Sequence, residues 1–263
     1  MSQPGNTVKA SEIRSTSIGI KILLVSNIAA YGLLFFGDTM QILDDFALHY
    51  LQSDLFAIHQ LITHMFLHGG TFHLFINLFV LWMFGVPLEN IWGTGRFLVF
   101  YLICGLGAAG LYLFTSTFTV DELSNLRPPI ETQMITQKDE KPLLNLVDYQ
   151  HFSLMHETQN DGPANEDGQY YQDPINMPML GASGAIFGIL LAFGMIFPNT
   201  RILVFFFFPM KAKYFVIVLG ALQLYLGISD KGSNVAYFAH LGGMIFAFIL
   251  LQFWGSKSLE IER

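Results

Sequence analysis

The sequence of 263 residues carries six apolar runs, each close to the roughly 17–25 residues that a helix needs to cross a bilayer. They lie at about 18–36, 72–86, 96–115, 178–197, 212–228 and 234–254. Hydrocarbon offers no partner for backbone N–H and C=O groups, so a chain that enters it must form helices or close a barrel. Runs of this length read as helices. Composition agrees, with 52% of residues hydrophobic and only 13% charged, against roughly 25% charged in an average soluble domain. The expected fold is an all-α membrane protein with six transmembrane helices, embedded in a lipid bilayer.

Charge orients these helices. Lys9, Arg14 and Lys21 flank the first run as in a secretory leader, but no small-x-small cleavage motif follows, so the run reads as a retained span. Basic residues in short flanks and loops mark the cytoplasmic side. Nine lie at the N-terminal flank, at Arg96, at Arg201, Lys211 and Lys213, and at Lys257 and Arg263. The other side has Lys231 and three basic residues in a long acidic insert. Both termini are therefore expected in the cytoplasm, with the insert facing outward.

Residues 116–178 hold eleven Asp and Glu against three Lys and Arg, which explains the formal net charge of −7. Acidity belongs to this segment, which reads as a partly disordered surface loop or a small cap over the membrane domain. The expected organisation is a cytoplasmic segment 1–17, helices 1–3 within 18–115, the insert 116–178, helices 4–6 within 179–254 and a tail 255–263. The single Cys104 excludes a disulfide framework. The sequence has no internal repeat or nucleotide motif, and neither a cofactor nor a nucleic-acid partner is expected. A multi-pass position in a bacterial inner membrane is the expected location.

Polar residues inside spans are expensive and so tend to be functional. Four matter here: His73, Asn77, Ser183 and His240. Thr71, after the Gly69–Gly70 break, suits the N-cap of the second span. The second, fourth and sixth spans all start at the outer face. Counting from Thr71, Pro178 and Asn234 at ~1.5 Å per residue puts all four side chains roughly 3–9 Å deep.

Each residue taken alone also has a packing reading. Ser183 sits among the small pairs Gly181/Ala185 and Gly184/Gly188, which let helices approach closely. His240 is flanked by Ala236, Ala239, Gly243 and Ala247, and His73 and Asn77, four apart, could be interhelical glue. Their common depth favours chemistry. A serine hydroxyl needs a base to take its proton, and imidazole suits that work. His73, Asn77 and the Ser183 backbone N–H could donate to a developing oxyanion. No acidic residue falls inside any of the six runs, so the reading is a Ser–His dyad.

A metal site is the weaker alternative. His64 and His68 have i, i+4 spacing but lack the Glu of H-E-x-x-H, and glycines separate them from His73. They read as hydrogen bonding to loop backbone, and no metal is expected.

The segments "HMFLHGGTFHLFINLFVLWMFG", "GASGAIFG" and "AHLGG", in this order and spacing, resemble the rhomboid intramembrane serine proteases. The resemblance covers about 55–115 and 179–250 and implies a six-helix rhomboid-like bundle. It implies Ser183 as nucleophile and His240 as base, with His73 and Asn77 at the oxyanion positions of the family's HxxxN motif. Supporting residues would be Gly181 before the serine, Gly184, Gly243, the loop histidine His68, and Phe187 as the ring near His240. The implied activity is serine endopeptidase cleavage of transmembrane protein substrates. The alternative is a non-catalytic rhomboid-like binder. The acidic insert is longer than the loop usual in the family, and the first outer loop lacks the Trp-Arg pair of some members.

Overall fold

A computed structural model describes residues 17–126, 178–204, 207–229 and 234–254. Most of the acidic insert lies outside the described residues, as do both terminal segments. The described chain forms α1 (Ile18–Phe36), α2 (Thr39–Phe46), α3 (Gln60–Thr63) and a 3-10 turn His64–Phe66. Next come α4 (Thr71–Trp92), α5 (Thr94–Leu126) and α6 (Ser183–Ile196). A hairpin of β1 (Arg201–Val204) and β2 (Phe208–Lys211) leads to α7 (Ala212–Ser229) and α8 (Asn234–Phe253).

Five of these helices, α1, α4, α5, α7 and α8, are long and apolar enough to cross a membrane. The chain is a multi-pass membrane protein with an all-α bundle. The fourth expected span differs. α6 has 14 residues, about 21 Å of helix, short of the roughly 30 Å hydrocarbon thickness. Ten of its residues, from Gly184 to Ile196, are buried, because α4, α5, α7 and α8 surround it. Non-helical backbone at membrane depth is tolerated where protein covers it, so a central helix can start below the surface.

Other boundaries moved for local reasons. α4 continues past Val86 through Pro87 to Trp92, and α5 continues past Thr115 to Leu126, into the sequence assigned to the insert. Thr71 is the first residue of α4 rather than its N-cap, which is Gly70, and its hydroxyl pairs with Tyr31 at 2.9 Å. Gly93 turns the chain between α4 and α5 at φ 77, a conformation open to glycine.

The longer α4 brings a buried acid into a helix. Glu89 is 2% exposed and accepts from the backbone N–H of Gly19 at 2.8 Å and Ile20 at 2.9 Å. These are orphan donors of the first turn of α1, so one carboxyl group caps a neighbouring helix. Thr94 Oγ1 donates to it at 2.6 Å. At the same end, Trp92 packs edge-on to Trp254 and beside Phe100, with the Arg96 guanidinium 5.2 Å from the Trp254 ring.

The segment between α1 and α4 is held by one buried amide. Gln60 is fully buried; its Oε1 accepts from His49 N–H at 3.2 Å and Ala57 N–H at 3.1 Å. Its Nε2 donates to the carbonyls of Asp44 at 3.0 Å and Leu55 at 2.8 Å. Buried polar groups bonded on both sides make a rigid unit. That unit braces the site through the antiparallel bridge between Leu48 and Met179, with bonds of 2.9 and 2.8 Å.

Candidate active site

Ser183 opens α6 because of what precedes it. Met179 is extended against Leu48, the Gly181 N–H donates to the His64 carbonyl at 2.8 Å, and Gly181 has φ 118. A Cβ at Gly181 would lie 3.1 Å from His73 Cε1, so both conformation and space call for glycine. The backbone N–H groups of the first turn, that of Ser183 included, have no partner within the helix. They form a partly positive end.

α8 carries His240 to this end. Its Nε2 is 2.8 Å from Ser183 Oγ. Phe187, one turn along α6, stacks on the imidazole with centroids 4.1 Å apart and planes 4° from parallel. Glycines allow the approach: a Cβ at Gly243 would collide with the Gly184 carbonyl oxygen, and one at Gly188 would lie 3.0 Å from the Gly243 oxygen. A Cβ at Gly184 would collide with that of Ala108 on α5.

A further partner was not among the sequence candidates. Gln223 of α7 is 7% exposed, and its Oε1 lies 2.8 Å from His240 Nδ1. An amide oxygen only accepts, so this pairing is made by the tautomer in which Nδ1 donates and the Nε2 lone pair is left for the serine hydroxyl. The available signal was a single carboxamide in the run 212–228, a polar residue inside a span.

His73 and Asn77 flank the same place from α4. The half-buried His73 ring abuts Gly181. Asn77 is 5% exposed, and its Nδ2 donates to the His73 carbonyl at 3.1 Å; the same nitrogen carries a second N–H. Ser183, His240, His73, Gly181, Gly184, Phe187 and Gly243 thus meet, with Asn77 one turn further along α4. His68 stands behind them, its ring edge-on to His73 at 5.1 Å. The acid of α4, Glu89, is twelve residues beyond Asn77, about 18 Å along the helix, and serves α1 instead.

The loop histidines are neutral at ordinary pH. Burial pushes His64 down to about 4, partly offset by its 2.7 Å bond to the Gln60 carbonyl. Burial, then the neighbouring His73, pushes His68 down to about 3, partly offset by the Phe66 carbonyl. Both bond to loop backbone, His68 Nδ1 at 3.4 Å from the Phe66 oxygen. No group of three metal-ligating side chains occurs among the described residues.

A cavity of about 50 Å³ adjoins Ser183, lined by Gly105, Ala108, Met179, Ala236 and Ala239 among others. A hydroxyl bonded to an imidazole, at a helix N-terminus with orphan N–H donors, is equipped for base-assisted acyl transfer.

Comparison with known proteins gives one consistent match. The sequence model of the Rhomboid domain matches residues 56–120 and 153–256. The RHOMBOID-like protein 12, mitochondrial, of Arabidopsis thaliana is 28% identical over 73% of this chain and 45% of its own length. The Rhomboid protein 1, mitochondrial, of Saccharomyces cerevisiae is 37% identical over 33% of this chain and 25% of its own. The Rhomboid protease GluP of Bacillus subtilis is 39% identical over 21% of this chain and 11% of its own. The chain spans less than half the length of each. Two of the three carry a mitochondrial name, so the expectation of a bacterial inner membrane is not supported, and the location stands as a multi-pass membrane position.

Proposed function

The chain belongs to the rhomboid family, and from that premise we propose that it is an intramembrane serine endopeptidase working through Ser183 and His240. The observation that carries this reading is the 2.8 Å contact between Ser183 Oγ and His240 Nε2 at the first residue of a buried helix. Structural serines in membrane helices return their hydroxyl to a carbonyl of their own helix. This one faces an imidazole beside a cavity.

In the proposed reaction, His240 Nε2 takes the Ser183 proton as Oγ bonds to the scissile carbonyl carbon. The oxyanion so formed is met by the Ser183 N–H, with His73 and Asn77 as side-chain donors. His240 then gives its proton to the leaving amine as the C–N bond breaks, and water hydrolyses the acyl-serine by the same steps. The small residues around the cavity fit a small substrate side chain next to the scissile bond. An intact helix hides its carbonyls, so substrates are transmembrane proteins whose helix unwinds locally near the cut.

Among the described residues, Lys21, Arg96, Arg201, Lys211 and Lys213 lie at the end of the bundle away from Ser183, which favours an outward-facing site with both termini on the cytoplasmic side. The acidic insert, joined directly to the segment before Ser183, is suited to restricting or selecting substrates. The test is cleavage of a reporter transmembrane substrate in proteoliposomes by the parent, Ser183→Ala and His240→Ala. Cleavage abolished in both folded variants supports the protease. Equal cleavage by Ser183→Ala overturns it, and a substrate bound but left intact by the parent favours the binder.

A further inference from the structure

Resting on the proposed protease reading, we infer that Gln223 is a positioning residue that holds His240 in the tautomer and rotation needed to deprotonate Ser183. The stack of Phe187 on His240, with planes only 4° apart, fixes the tilt of the imidazole. It does not distinguish the ring from its flip about the Cβ–Cγ bond, which keeps the plane and exchanges each nitrogen for a ring carbon. The choice between these is set by bonds at the two nitrogens. Ser183 Oγ holds one and Gln223 Oε1 the other, both at 2.8 Å. If Ser183 held the ring alone, the bond would be lost each time the hydroxyl turned to attack.

The residue type fits the location. The buried stripe of α7 is Ala212, Val216, Gln223 and Gly227, so three of its four positions pack with small or apolar side chains. An amide among them carries a desolvation cost that one bond to His240 offsets. A carboxylate would orient the ring equally well but is far costlier inside a membrane. Gln supplies an acceptor without a buried charge. Orientation decides the outcome: with Oε1 toward Nδ1 the base faces Ser183, whereas an amide N–H there would reverse the tautomer and silence Nε2.

Two variants separate positioning from packing. Gln223→Met keeps the shape and removes the acceptor; Gln223→Glu keeps the acceptor. Kinetics on a fluorogenic transmembrane substrate in proteoliposomes are read for kcat and KM separately. The expected result is a fall in kcat of about 10- to 100-fold in Gln223→Met, up to the lower end of the ~10²–10⁴-fold that general-base catalysis contributes, since the base is misoriented part of the time rather than removed. KM stays within about twofold, and Gln223→Glu stays within a few-fold of the parent. A packing role predicts the reverse order, since Met suits an apolar stripe and Glu does not.

Nitrogen-15 NMR of histidine-labelled protein gives a readout that needs no turnover. With the His240 signals identified by difference from His240→Ala, the parent should show Nδ1 protonated and Gln223→Met a mixture of tautomers. Parental kcat in Gln223→Met, or Nε2 protonation in the parent, overturns the inference. Failure of the protease reading is recognised separately by cleavage that survives Ser183→Ala, and the tautomer measurement still decides whether Gln223 holds the ring.

Discussion

Replacing Gly243 by alanine adds one methyl group at the point where α6 and α8 touch. That methyl collides with the Gly184 carbonyl oxygen, in the residue next to Ser183. Restoring ordinary van der Waals separation requires the helices to part by on the order of 1 Å. Neither side can yield locally, because both partners are backbone. On the adjoining face of α8, Gly242 already lies close against α5, where a Cβ would be 2.6 Å from the Gly107 oxygen. Gly243 is three residues from His240, so the shift is delivered to the imidazole. It lengthens a 2.8 Å contact beyond the limit of an effective hydrogen bond. Burying a methyl gains at most ~0.8 kcal/mol, whereas overpacking costs about 1–3 kcal/mol. The expected variant is folded, with a lowered melting temperature and kcat reduced by about 10²-fold, the effect of a misplacement of this size. The assay is initial cleavage rate in proteoliposomes with thermal unfolding in detergent. Gly110→Ala is the control, since a Cβ there meets nothing within 4 Å; it should match the parent in rate. Parental rate and melting temperature in Gly243→Ala would refute the argument that the glycine contact sets the serine–histidine distance.

Three further outcomes are expected. Gly181→Ala, with φ 118 and the His73 ring 3.1 Å from the new Cβ, should lose about 1–3 kcal/mol from strain along with most activity; unfolding and cleavage assays check both. Glu89→Ala removes the partner of the Gly19 and Ile20 N–H groups and should destabilise by roughly 2–4 kcal/mol. The site lies at the other end of α4, so kcat of the folded fraction should hold, and a fall in kcat matching that of Ser183→Ala would sink the structural assignment. The third outcome concerns acid. His64 and His68 are lowered from 6.5 to about 4 and about 3, so between those values and 6.5 the unfolded chain binds more protons than the folded one. Stability from this source is complete above pH 6.5, falls as pH drops below it, and levels off under about 4 for His64 and about 3 for His68. Melting temperature from pH 7.5 down should show the loss, and it should shrink in His64→Asn; an unchanged slope in that variant would refute the assignment to His64.

Much of the bundle is legible in local sequence because hydropathy over a span is a local property. The run 18–36 reads directly as α1, with the same limits, since a lipid-crossing helix needs nothing from its neighbours to satisfy its backbone. The expectation that Ser183, His240, His73 and Asn77 share a level rests on the helical rise alone. Even so, counting from Pro178 treated an extended lead-in as helix. The start of α6 at Ser183 depends on the Leu48 bridge and the His64 carbonyl, which reach Met179 and Gly181 from more than a hundred residues away.

What tertiary structure decided is rotation and partnership. Gln223 reads in sequence as one amide in a greasy run; only the turn of α7 about its axis aims it at His240 Nδ1. Glu89 lies beyond the apolar run that marks the second span, and only the packing of α1 on α4 makes it a helix cap. The glycines announce close approach without saying to what, since small residues permit many crossings and the carbonyl of Gly184 selects one. A sequence specifies which faces are apolar and where polar atoms are spent. Which polar atom answers which is fixed when helices dock, because a hydrogen bond is made within a few tenths of an ångström and a hydrophobic run is blind at that scale.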